Sequence, residues 1–296
     1  MKKEMKKNIV NVVQGFCMAL ADSVPGISGG TVAFILGFYE EFINSINALI
    51  SKGQSKKKAV SFLIKLGIGW AIGMALASIV LSSLFEKHIY SVSSVFIGFI
   101  VFAIPLIVRD EKDTLKGKYG YLFYAFIGIL IVCLITYFNP VGGGSSIDLN
   151  NLNVGLLLYL FFAGVIAISA MVVPGISGST LLLIFGLYVP IITSISEFLH
   201  FNFKVLPILI IFGLGVITGM LLIVKIIKKA LDKYRSQTIY LVLGLMVGSI
   251  YAIVMGPTSL EVPQEAMSFG TFSILFFIIG GIIVYGLEVL RKKLDN

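Results

Sequence analysis

The sequence predicts an all-α integral membrane protein, built as an inverted-topology repeat of two five-segment halves. Three observations predict it. The first is composition: of 296 residues, 57% are hydrophobic and only 13% charged, and the mean hydropathy is +1.00. A soluble domain carries about 25% charged residues, so this chain lacks the polar groups to cover a surface in water. Soluble enzymes and nucleic-acid binders are thereby excluded. The second is a succession of ten long apolar stretches. The third is a near-repeat at half the chain length, in which Ala21-Asp22-Ser23-Val24-Pro25-Gly26-Ile27-Ser28-Gly29-Gly30-Thr31 returns as Ala170-Met171-Val172-Val173-Pro174-Gly175-Ile176-Ser177-Gly178-Ser179-Thr180.

The apolar stretches of the first half run Asn8 to Ala21, Thr31 to Ile50, Ala59 to Phe85, Val92 to Val108 and Tyr119 to Phe138. Those of the second run Val154 to Val173, Thr180 to Ser196, Val205 to Ile227, Thr238 to Met255 and Gly270 to Leu290. Crossing a hydrocarbon core of about 30 Å takes roughly 20 helical residues, and backbone groups in lipid must be satisfied within helices. Most of these stretches are therefore expected to span. The first resembles a secretory signal, with Lys2, Lys3, Lys6 and Lys7 ahead of an apolar run and Ala19-Leu20-Ala21. It is expected to remain uncleaved, because the same stretch reappears in mid-chain from Gly164, where no signal peptide works.

Charge gives orientation. The net charge is +8, from 23 Lys and Arg against 15 Asp and Glu. With the amino terminus placed in the cytoplasm, 21 of the 23 basic residues fall in inside segments, and only Lys87 and Lys204 fall outside. The positive-inside rule then puts both termini in the cytoplasm. The basic excess is a topology signal with some attraction to anionic lipid heads, and it calls for no nucleic-acid partner.

The repeat is offset by 149 residues around Pro25 and Pro174 and extends through Gly37 with Gly186 and Tyr39 with Tyr188. Gly67, Gly69, Gly73 and Met74 match Gly213, Gly215, Gly219 and Met220 at an offset of 146. The implied units are 1–147 and 148–296, with the Gly142-Gly143-Gly144-Ser145-Ser146 run as linker. Five segments per half is an odd number, so the second half enters from the opposite face. Inverted repeats with broken helices in matching positions are a feature of secondary transporters, which bind substrate near the midplane between the repeats.

In each half the Pro-Gly-Ile-Ser-Gly element breaks a helix. Proline removes a donor and clashes with the preceding turn. A new helix is expected from Thr31 and from Thr180, and it is short, because Glu40-Glu41 and Val189-Pro190 follow about nine residues on. Nine residues rise roughly 14 Å, half a hydrocarbon core, which favours a re-entrant hairpin with its tip at mid-membrane, full crossing by both arms being the alternative. Such a tip offers backbone N-H groups and a partial positive charge. The candidate anion site is Asp22, Ser23, Pro25, Gly26, Ser28, Gly29, Gly30, Thr31 and Lys65 from the first half, with Pro174, Gly175, Ser177, Gly178, Ser179 and Thr180 from the second. Kinking alone would not demand the same serine and threonine pattern twice.

These paired motifs resemble the polyprenyl-phosphate transporters, which return undecaprenyl phosphate across the bacterial cytoplasmic membrane. The resemblance rests on Ala21 to Thr31 with Gly37 and Tyr39, and on Val173 to Thr180 with Gly186 and Tyr188. It implies a multi-pass flippase for the carrier lipid of cell-wall synthesis, with a polyprenyl phosphate and the bilayer as partners. The motif is also similar to the Pro-Gly-x-Ser-Arg-Ser element of undecaprenyl-pyrophosphate phosphatases, but Gly29 and Gly178 stand where that arginine would be. Phosphoryl transfer needs cationic or metal stabilisation of the moving group, so binding without hydrolysis fits better. A small-anion channel or exchanger is the other alternative.

Asp22 and Lys65 are the ionisable residues most expected inside the membrane, where such groups are functional by default. Met171 and Ile211 take the matching places in the second half. Asp22 is read as a proton carrier, a partner of Lys65 or a helix-terminus ligand; Lys65 either meets the phosphate or snorkels to the cytoplasmic face. The glycines at 69, 73, 215 and 219 read as close helix contacts. Cys17 and Cys133 lie in apolar runs and read as packing residues. No metal or cofactor is called for, and the coupling ion stays open between proton and sodium.

Overall fold

The computed structural model describes residues 2–23, 28–51, 56–77, 82–139, 153–260 and 262–295. Among them all regular structure is helical. In order come α1 (Lys2–Asp22), α2 (Gly29–Ile35), α3 (Tyr39–Ile50), α4 (Lys56–Leu76), α5 (Ser82–Asp110), α6 (Lys112–Leu115) and α7 (Leu122–Tyr137). The second half supplies α8 (Val154–Val172), α9 (Gly178–Ile184), α10 (Tyr188–Leu199), α11 (Leu206–Lys233), α12 (Arg235–Met255) and α13 (Ile274–Asp295). Gly142 to Ser146, read above as the linker, lie outside the described residues.

Six helices among the described residues are long and apolar enough to cross a membrane: Lys56–Leu76, His88–Asp110, Tyr119–Tyr137, Val154–Val172, Phe203–Lys233 and Arg235–Ser259. Their outer faces are apolar. On α4 the i+4 series Ile64, Ile68, Ile72 and Leu76 lies about half exposed while Phe62, Leu66, Gly69 and Gly73 are buried. Exposing such a stripe is unfavourable in water and neutral in lipid tails. Charged groups such as Glu40, Glu41, Arg109 and Arg235 stand near helix ends.

The helix pairs of the two halves correspond. α1 packs on α4 and α8 on α11; α5 packs on α13 and α7 on α12. Each pair closes on glycine, because a missing side chain lets two backbones touch. Gly69 meets the Val12 carbonyl and Gly73 that of Phe16, while Gly215 meets Phe161 and Gly219 meets Val165. The glycine stripes are thus close helix contacts, as the spacing implies. Between the halves, Gly98 meets Phe277 and Gly280 meets Val95; at matching positions Gly244 meets Ala125 and Gly128 meets Leu241.

These contacts also fix direction. Asn8, Val12 and Phe16 of α1 lie beside Lys65, Gly69 and Gly73 of α4, so the two helices run in parallel. The intervening α2 and α3 therefore carry the chain back toward the end from which α1 set out. In the second half α9 and α10 meet at a bend of 109°. Both turns hang on a glycine in the left-handed region, Gly37 at φ 73° and Gly186 at φ 64°, a conformation other residues adopt only with strain.

Two sequence-derived boundaries move. The short helices start at Gly29 and Gly178, two residues ahead of the expected Thr31 and Thr180, because Ser28 and Ser177 are the N-cap residues. They also end sooner, at Ile35 and Ile184. Glu40 and Glu41 stand in the first turn of α3, where acidic side chains suit the helix dipole, and do not mark the hairpin's end. The Ala59 to Phe85 stretch likewise divides, α4 ending at Leu76 and α5 beginning at Ser82.

Candidate functional site

The tip of the first half is built around the amino end of α2. Ser28, in extended conformation, accepts from the Gly30 N-H at 3.1 Å through its Oγ. The carboxylate of Asp22, at the last position of α1, accepts from the Gly29 N-H at 2.7 Å. The break between α1 and α2 is thereby spanned by a side chain, and two amides that the helix cannot satisfy itself find acceptors. Of the three roles considered for Asp22, the contacts show the helix-terminus ligand. Its other oxygen accepts from the indole Nε1 of Trp70 on α4 at 3.0 Å.

Lys65 is not part of this cluster. Its ammonium donates to Asn8 Oδ1 at 2.6 Å, fourteen residues before Asp22 along α1 and so roughly 20 Å from it. The parallel packing of α1 and α4 sets that pairing. Ser23 turns its hydroxyl back to the Leu20 carbonyl at 2.8 Å. Pro25 and Gly26 lie outside the described residues.

The two halves are clasped at the tips. The Ser28 hydroxyl donates to the Met171 carbonyl at 3.0 Å, and Tyr39 donates to the Val172 carbonyl at 3.1 Å. In return the Gly175 N-H donates to Thr31 Oγ1 at 2.7 Å. Ser28, Thr31 and Tyr39 are all buried, so these bonds form away from water, where an unmatched polar group costs most. They satisfy carbonyls at the end of α8 and the amide after Pro174. The glycines permit the approach: a Cβ on Gly30 would fall 2.7 Å from the Val172 carbonyl oxygen, and one on Gly175 2.6 Å from Leu245.

The second tip differs in detail. Ser177 makes no capping bond to α9; its hydroxyl pairs with that of Ser179 at 2.8 Å. Ser177, Gly178 and Thr180 are buried. An arginine at Gly29 or Gly178 meets an obstacle at once, since a Cβ there would lie 2.7 Å from the Asp22 carboxylate or 2.6 Å from the Ala167 carbonyl.

Beside the clasp lies a cavity of about 230 Å³, lined from both halves by residues that include Met18, Asp22, Gly30, Trp70, Met171 and Met220. Asp22 is the one ionisable side chain among its described lining residues. Trp70, Tyr39 and the Met171 and Val172 carbonyls were not among the sequence-derived site residues. Tyr39 carried a usable signal, its recurrence as Tyr188; the carbonyls carried none, because backbone groups are free to bind only where a helix stops.

Among the described residues no group of three or more His, Cys, Asp or Glu is placed to hold a metal ion. At one end of the bundle, charged groups tie the halves together. Arg235, opening α12, donates to Glu111 at 3.1 and 2.5 Å and pairs with Glu40 of α3 at 2.8 Å. Arg109 donates to the buried Glu288 of α13 at 2.7 Å, and Lys228 to Asn44 at 2.8 Å.

A profile described as undecaprenyl phosphate translocase-like matches residues 18–271. The chain is 35% identical over 277 residues to a polyprenyl-phosphate transporter of Staphylococcus aureus, covering 93% of this chain and 94% of that one. It is 31% identical over 249 residues to a polyprenyl-phosphate transporter of Vibrio cholerae, covering 80% and 75%. No solved structure matches it significantly.

Proposed function

The chain belongs to the undecaprenyl phosphate translocase-like family, and from that premise we propose that it carries undecaprenyl phosphate from one leaflet of the bacterial cytoplasmic membrane to the other. A role in polyprenyl phosphate transport, without hydrolysis, follows from the family and its named relatives. The finer reading concerns how the head group crosses. A bare phosphate in hydrocarbon loses its hydration with nothing in return, which is prohibitive. The protein supplies replacement donors at the two broken-helix tips, while the tail remains in lipid.

The observation that carries this reading is the clasp of Ser28, Thr31 and Tyr39 on Met171, Val172 and Gly175. It brings the repeated motifs together between membrane-spanning helices, with hydroxyls and amides concentrated where lipid offers neither. At the α2 end the Gly29 and Gly30 N-H groups are held by Asp22 and Ser28, and at the second tip the Ser177 and Ser179 hydroxyls pair with each other. Loading is then an exchange of acceptors, in which phosphate oxygens take over hydrogen bonds that the protein otherwise makes to itself. The internal repeat supports inverted halves that rock about the clasp, with both termini on the cytoplasmic side where the basic segments gather.

The double substitution Ser28→Ala with Ser177→Ala tests the site. In proteoliposomes it is expected to cut prenyl phosphate flipping at least tenfold while the protein stays folded. Unchanged flipping would remove the tips from the mechanism. An inorganic-anion flux equal to the lipid flux would point to the channel reading.

A further inference from the structure

The 230 Å³ cavity beside the clasp is apolar except for Asp22, and that carboxylate is engaged at both oxygens, by the Gly29 N-H and by the Trp70 indole. A cavity for a hydrated head group would present several polar side chains; this one presents methionine, leucine and aromatic walls. It nevertheless borders Gly30, in the first turn of the proposed head-group tip. Gly67 of α4, which also lines it, is exposed on the outer face of that helix. An apolar recess that begins at the head-group site and reaches a lipid-facing helix matches one part of an amphiphile: the hydrocarbon joined directly to the phosphate.

Resting on the function proposed above, we propose that this cavity is the subsite for the isoprene unit adjoining the phosphate of a polyprenyl phosphate. Asp22 is a positioning residue there. By holding the Trp70 Nε1-H at 3.0 Å it fixes the indole as a wall of the cavity, and by holding Gly29 N-H it fixes that wall relative to the tip. Met18, Met171 and Met220 supply flexible, polarisable side chains that fit a branched, unsaturated chain. The matching position in the second half is Met171, so the subsite is built once, on one side of the clasp.

Gly67 gives the test. A Cβ added at Gly67 meets nothing within 4 Å, and the same holds for Gly213, its counterpart on α11 that does not line the cavity. Gly67→Phe narrows the cavity without a backbone clash at Cβ, and Gly213→Phe is the control. Trp70 is the one tryptophan of the chain, so its emission reports on this wall. With parent protein in detergent, farnesyl phosphate is expected to shift Trp70 emission saturably, and inorganic phosphate to leave it unchanged. Radiolabelled farnesyl phosphate should bind Gly67→Phe at least tenfold more weakly than parent, and Gly213→Phe like parent. Equal binding by Gly67→Phe and parent overturns the subsite and leaves the transport reading standing. Dodecyl phosphate binding as tightly as farnesyl phosphate overturns the isoprene assignment. Failure of every variant and of parent to bind any prenyl phosphate strikes at the transport reading itself.

Discussion

The glycine contacts allow a stability prediction that isolates one methyl group. Gly67 and Gly69 lie two residues apart on α4. A Cβ at Gly69 would sit 1.8 Å from the Val12 carbonyl oxygen, while one at Gly67 meets open space. Gly67→Ala should be neutral or favourable by up to about 1 kcal/mol, the usual helix gain of alanine over glycine. Gly69→Ala must drive α1 and α4 apart by more than an ångström, and the Gly15 and Gly73 contacts open with it. Overpacking of this kind costs about 1–3 kcal/mol, and the rigid backbone neighbour puts it at the upper end. The two variants then differ by roughly 3–4 kcal/mol, which at about 2–4 °C per kcal/mol separates their melting temperatures by on the order of 10 °C. The second half supplies the replicate: Gly215→Ala meets the Phe161 carbonyl at 2.2 Å, and Gly213→Ala meets nothing. Thermal unfolding in detergent is the assay. Equal melting temperatures for Gly67→Ala and Gly69→Ala would refute the packing of α1 on α4; damage at 69 without damage at 215 would refute the correspondence of the halves.

Three further outcomes follow from the polar contacts. Tyr39→Phe removes the donor to the Val172 carbonyl inside the clasp and should destabilise by about 1–3 kcal/mol, read as a lower melting temperature with no loss of helical circular dichroism. Asp22→Asn leaves one acceptor oxygen for two N-H donors, so a double-mutant cycle with Trp70→Phe should show a coupling of about 0.5–3 kcal/mol; strict additivity would mean that the carboxylate and indole do not interact. Arg235→Gln breaks the three-way link to Glu111 and Glu40. Because Glu111 is well shielded and Glu40 half exposed, most of the expected loss of roughly 2–3 kcal/mol belongs to Glu111, and Glu111→Gln should reproduce it while Glu40→Gln should not.

What the sequence made legible, and what it left hidden, divides along a physical line. Repetition and local chemistry were readable: the two short helices and the glycine stripes follow from residues close in the chain, while Gly37 and Gly186 stood out only as matched positions of the repeat and not as turns. The starts at Gly29 and Gly178 were misplaced because glycine reads as a breaker, although at the first position of a helix it needs only a capping residue before it. Partners across packed helices were not readable. Lys65 resembles a phosphate ligand by its place in an apolar run, yet α4 lies parallel to α1 and brings Asn8 to it. Nothing near Arg235 or Glu288 in the chain names their partners, and only the docking of α12 and α13 against α5 gives them Glu111 and Arg109.

The departures from symmetry are more informative than the repeat itself. The glycine contacts recur pair by pair, so the scaffold is the same on both sides of the clasp. The polar chemistry does not recur. Asp22 faces Trp70 where the second half has Met171, and Arg235 links Glu40 and Glu111 where the counterparts of those acids, Val189 and Pro257, carry no charge. A perfectly symmetric carrier would present its substrate with equivalent states on the two faces. Here one face must part ion pairs for the halves to separate, while at the opposite ends of α5 and α12 the bonds between the halves are neutral: Asn139 with Ser259, Tyr90 with the Glu265 carbonyl, and the Ser273 N-H with Ser94. A charge-assisted bond with a shielded partner is roughly twice as strong as a neutral one. The ion pairs therefore hold the basic end together, and Arg235→Gln should make that end more accessible. Labelling of a cysteine introduced at Leu115, buried where α6 packs on α12, reads this directly: faster modification in the Arg235→Gln background supports the role of the ion pairs, and an unchanged rate refutes it.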